Sequence, residues 1–265
     1  MIWGMSTAYA ANVTIGVSED QSGDVSGGAT DNNTVTIGAE GGGDHPAIGG
    51  NVVGGTSANA TGNTVTINSI KLGAGKAVYG GKSDSGAATN NTVTITGGTL
   101  NNNNKIIGGS GTASSTSNGN IVNLGDENGN FSADLRRAEI WGTSYGGQVQ
   151  DNDSDKIKGN TLNVNASGIR LEMVRNFQKI NFNLTKSVTA GSTMLTMDTG
   201  NFGLGYGKAF DWKNFSLTGK ENDPDETKYG RIGTINLLYA YSGSDMKIGN
   251  YPNGGTKATT SDCEY

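Results

Sequence analysis

The amino-acid sequence predicts an all-β fold: a right-handed parallel β-helix (solenoid) followed by a less regular, β-rich C-terminal segment. Three observations carry this. One phrase recurs five times, and its anchoring asparagines Asn33, Asn63, Asn91, Asn120 and Asn160 are spaced by 30, 28, 29 and 40 residues. A period of roughly 20–50 residues marks units that bury a core only by stacking on one another. Within each phrase apolar and hydroxyl residues alternate, which is the periodicity of a strand. A unit of this length is also too small for a core of its own, so a string of independent domains is excluded.

The elements follow in chain order. Ala8-Tyr9-Ala10 ahead of Ala11 has the small-x-small pattern of a signal-peptidase site, but residues 1–10 are short and lack a basic start. They read either as a signal-peptide remnant or as chance. Asn12-Val13-Thr14-Ile15 is a partial first copy. Four copies then run from Val25-Ser26-Gly27-Gly28 to Asn33-Thr34-Val35-Thr36-Ile37, from Val52-Val53-Gly54-Gly55 to Asn63-Thr64-Val65-Thr66-Ile67, from Val78-Tyr79-Gly80-Gly81 to Asn91-Thr92-Val93-Thr94-Ile95, and from Ile106-Ile107-Gly108-Gly109 to Asn120-Ile121-Val122-Asn123-Leu124. A looser fifth pairs Ile140-Trp141-Gly142 with Asn160-Thr161-Leu162-Asn163-Val164.

β-Branched residues fit a pleated surface and disfavour helix. Val35, Val65, Val93 and Val122 are therefore expected in one inward column, and Ile37, Ile67, Ile95 and Leu124 in the next. The threonines face outward. The Gly-Gly pairs are expected to supply turns with positive φ. The asparagine column is expected at the turn entering the strand, where asparagine tolerates left-handed geometry and side-chain amides bond copy to copy. The long interval before Asn160 predicts an inserted loop on one face, at 143–158.

From residue 168 the pattern changes. Strands are expected at 177–184, 194–197, 210–217 and 231–241, with a charged turn at 221–226. The organisation read from the chain is thus a remnant at 1–10, repeats at 11–167, and a terminal β-rich segment at 168–265 that continues or caps them.

Composition agrees with this architecture. Glycine at 44 and proline at 3 exclude collagen, and 33% hydrophobic residues suit a narrow stack in which few side chains point inward. The net charge is −5, no basic patch runs through the chain, and nucleic acid is excluded as a partner. One cysteine, Cys263, and one histidine, His45, can build neither an internal disulfide nor a zinc site. No cofactor is expected.

The phrase Val78-Tyr79-Gly80-Gly81, its Ser/Gly/Ala loop, and Asn90-Asn91-Thr92-Val93-Thr94-Ile95 resemble the β-helical passenger of bacterial autotransporters, the type V secreted surface proteins. The strands at 177–184 and 194–197 are similar to the segment those passengers carry before their membrane barrel. The resemblance implies a secreted or surface-displayed protein at the outer membrane of a Gram-negative bacterium. It also implies adhesion to host or neighbouring-cell surface proteins or glycans, and linkage of the full-length protein to an outer-membrane barrel. Strands of that barrel type are not seen before Tyr265, so the sequence reads as a fragment, a shortened piece, or a solenoid of another lineage.

The chemistry-bearing residues form few constellations. His45 sits in a glycine-rich turn with no nucleophile motif beside it. Asp151, Asp153 and Asp155 open like a calcium loop, but Lys156 stands where glycine is needed and Leu162 where glutamate belongs. The run from Gly75 to Ser83 is one residue too long for a phosphate loop, and Gly203, Gly205 and Gly207 lack a strand-turn-helix context. Asp44, Asp84 and Asp126 are scattered relative to the repeat. Asp134, Arg136, Arg137 and Glu139 form the densest charged group, and a polysaccharide lyase or hydrolase would use carboxylates there. The Thr-x-Thr rows resemble those of ice-binding solenoids, although threonine is also a good outward strand residue and the rows break at Ile121 and Asn123. The leading expectation is a non-enzymatic adhesin-like module, with Trp141 and Tyr145 as surface contacts and the asparagine column as its structural ladder.

Overall fold

The computed structural model describes residues 10–112, 116–145, 157–189 and 191–198, and the later strands Phe202–Gly203, Phe210–Asp211, Phe215–Thr218, Ile235–Ala240, Ile248–Gly249 and Asp262–Cys263. The signal-like start at 1–9, most of the inserted loop (146–156, with the acidic run at 151–155), the glycine run at 204–207 and the charged turn at 221–226 lie outside the described residues.

Every regular element among the described residues is a strand. Two long parallel sheets organise the molecule. The threonine sheet stacks Asn12–Ile15, Thr34–Ile37, Thr64–Ile67, Thr92–Ile95, Ile121–Leu124, Thr161–Val164, Lys179–Asn183 and Phe215–Thr218 in sequence order. The glycine sheet stacks Val25–Ser26, Val52–Val53, Ala77–Lys82, Lys105–Gly111, Glu139–Tyr145, Met173–Arg175 and Phe202–Gly203, also in sequence order. The chain visits the two sheets alternately. Between them it makes a short third run, where Ala47–Ile48 pairs with Lys71–Leu72 and single bridges join Gln21 to Ile48, Lys71 to Thr99 and Thr99 to Asp134. Both long sheets continue past residue 168. There a further sheet of Ile169–Leu171, Thr193–Met197 and Ile235–Ala240 joins them, and Asp262–Cys263 adds to it in the one antiparallel pairing among the described strands.

The register is what the sequence columns demand. Val35 pairs with Val65, Val65 with Val93, and Val93 with Val122, while Ile37, Ile67, Ile95 and Leu124 form the adjacent column. All eight side chains are fully buried. Val52, Val78, Ile106, Ile140 and Val174 close the core from the glycine sheet, and Ile48, Leu100 and Leu135 from the short third run. Each such aliphatic side chain contributes about 1.5–3 kcal/mol on burial. Toward the C-terminal end the same columns widen to Ile180 and Phe182, and the Phe182 ring stacks on Phe215 at 6.2 Å.

Two backbone expectations are corrected. Gly28 of the first pair has the expected positive φ (105°), but Gly80, Gly81, Gly108 and Gly109 lie inside strands rather than turns, and none has positive φ. The left-handed position is also not held by the ladder asparagines. It is one residue earlier, at Asn32, Gly62, Asn90, Gly119 and Gly159, with φ of 59, 69, 55, 65 and 74°. The chain turns there, and the ladder residue that follows is already aligned with its strand.

Candidate functional surface

The ladder is a column of buried amides. Asn33, Asn63, Asn91, Asn120 and Asn160 are all fully buried. Asn33 donates to Asn63 Oδ1 through its backbone N–H at 3.0 Å and its Nδ2 at 2.9 Å. Asn63 does the same to Asn91 (3.0 and 2.9 Å), Asn91 to Asn120 (3.0 and 3.0 Å), and Asn120 to Asn160 (2.9 and 3.3 Å). Each carboxamide oxygen therefore accepts two bonds, and every dipole points the same way, so neighbouring bonds polarise one another. The column begins where Ala11 N–H donates to Asn33 Oδ1, and ends where Asn160 Nδ2 donates to the carbonyl of Asn176.

The Gly-Gly pairs exist for this column. A Cβ on Gly81 would lie 2.6 Å from Asn91 Oδ1, and one on Gly109 would lie 2.7 Å from Asn120 Nδ2. A Cβ on Gly80 would also meet the Gly108 carbonyl oxygen of the next repeat at 2.3 Å. Contacts this short are forbidden, so at these repeats the glycine sheet admits the amides because it lacks side chains there, whereas the fifth copy holds the buried Thr143 in register with Gly109. The two halves of the repeated phrase are thus one device.

A second amide chain runs on the outer face of the threonine sheet and was not read from the sequence. Asn181 donates to Asn163 Oδ1 at 2.8 Å, Asn163 to Asn123 Oδ1 at 2.7 Å, and Asn123 to Thr94 Oγ1 at 3.0 Å. The signal was present as the x in Ile-Val-Asn-Leu and Thr-Leu-Asn-Val, at the positions threonine holds in earlier copies. On the N-terminal half of that face Thr34, Thr36, Thr64, Thr66 and Thr92 are partly buried, and their hydroxyls bond to no described protein group. Across the described strands of this face the only charged side chain is Lys179.

Trp141 does not offer the contact expected of it. It is only 6% exposed, and its indole N–H donates to Glu139 Oε2 at 2.9 Å. Lys105 Nζ and Arg175 Cζ each lie 5.5 Å from its ring centroid. Those cations come from the repeats before and after, because Ile107, Trp141 and Arg175 share a register position. The ring is a packing element between repeats. Tyr145 ends the strand Glu139–Tyr145, with its backbone paired to Gly111, and its side chain lies outside the described residues.

The candidate catalytic carboxylates are each occupied. Asp134 accepts from Arg136 Nε at 2.9 Å and Nη2 at 2.6 Å, and from Asn101 Nδ2 at 2.7 Å. The Arg136 bond above all, helped by Asn101, holds the Asp134 carboxyl down to about 2 against the opposing effect of partial burial. Glu139 accepts from Trp141. Asp126 closes its own turn by accepting from the Asn128 and Asn130 N–H groups. Asp44 accepts from Thr99, and Asp84 pairs with Lys82 at the exposed surface. The exposed His45 ring stands 3.8 Å from Asp20. Among the described residues no three His, Cys, Asp or Glu side chains are grouped to hold a metal ion, and no helix is long and apolar enough to cross a membrane.

Comparison with protein-family models, with curated proteins and with solved structures gives no match.

Proposed function

We propose that the chain is a right-handed parallel β-helix serving as a non-enzymatic adhesive passenger, secreted or displayed at the outer membrane of a Gram-negative bacterium and joined in full length to a membrane barrel. Its partners are surface proteins or glycans of host or neighbouring cells. One observation carries the reading most: successive repeats stack in parallel and in register through a continuous buried amide column, while the loops between the sheets vary in length. Polar groups are spent on joining repeat to repeat, and Asp134 and Glu139 are held by Arg136 and Trp141. That favours a scaffold for display over a catalytic cleft, because a general acid or base must reach a substrate proton. Right-handedness is the hand that parallel crossover connections favour.

The test is adhesion. The purified chain, or the chain displayed on a non-adherent bacterium, is expected to bind epithelial or bacterial cells saturably. It is expected to release no sugar from polysaccharide substrates. Failure to bind any cell type, or depolymerisation abolished by Asp134→Asn or Glu139→Gln, would sink the proposal.

A further inference from the structure

We draw no further inference here: the strongest candidate, the fully buried Asn176 at the C-terminal end of the amide column, whose Oδ1 bonds no described protein group, carries nothing, because its Nδ2 donates to the Thr143 carbonyl at 2.8 Å within the stack and nothing in the structure shows what would meet the remaining oxygen.

Discussion

At the residue scale, the ladder asparagines concentrate the energetic stakes. Asn91→Ala removes the acceptor for two donors of Asn63 and the Nδ2 that donates to Asn120 Oδ1 and to the Ala60 carbonyl, all in a fully buried column. Each buried polar group left unpaired costs about 1–3 kcal/mol, so urea denaturation should show a loss of at least about 3 kcal/mol. A loss within about 1 kcal/mol would mean that the ladder is ornamental. Thr66→Val on the outer face is the contrast and should change stability by less than about 0.5 kcal/mol. Asp134 sets the pH dependence. Its carboxyl is depressed from 3.8 to about 2, chiefly by Arg136, so the stability it lends is present above pH 3.8 and is lost as pH falls toward 2. The melting temperature of Asp134→Asn should lie below that of the wild type at neutral pH, and the gap should close between pH 4 and 2. The effect is modest, because the site is partly exposed and solvent screens it.

At the element scale, the glycine strands make a steric claim that can be checked. Gly109→Ala puts a Cβ 2.5 Å from the Ala88 carbonyl oxygen and 2.7 Å from the Asn120 amide, whereas Gly23→Ala meets nothing within 4 Å. The first should cost about 1–3 kcal/mol by overpacking and the second close to nothing, as read from melting curves of the two variants. Equal effects would break the link between Gly-Gly and the ladder. This link also marks the limit of what was legible. The strands and the inward columns could be read, because alternation along one strand is local information. The role of Gly-Gly could not, because the atoms it makes room for belong to an asparagine beyond a loop of variable length, as Gly109 and Asn120 show, and to the next repeat. A single sequence offers the turn preference of glycine and hides the close approach. The same holds for Trp141, an aromatic on a surface strand until the register brings Lys105 and Arg175 over its ring. The left-handed residue was missed by one position, since Asn32 and Asn90 stand directly before ladder asparagines of the same type. Gly62 and Gly119 at the intervening positions carry the signal, and a Cβ on either would strike the side chain of Asn32 or Asn90 at 2.2 Å.

At the scale of the whole molecule, the pairings make the energetics nearly one-dimensional. In both long sheets each described strand bonds only to the strands of the repeats before and after it. Stability in such an array is a sum of unit terms and nearest-neighbour terms, so coupling should decay with repeat separation. Double-mutant cycles within the ladder measure this directly. Asn63→Ala with Asn91→Ala removes the same inter-repeat bonds twice, so the pair should lose less than the sum of the single losses, by about 1 kcal/mol or more. Asn63→Ala with Asn160→Ala shares no bond and should be additive within about 0.5 kcal/mol. Large coupling between the distant pair would mean that the column acts as one cooperative rod rather than a chain of contacts, with dipole alignment along all five amides outweighing the local bonds. The balance bears on display. A locally coupled stack can take a changed loop in one repeat without loosening the next, which is what the unequal loops between Gly28 and Asn33 and between Gly109 and Asn120 require.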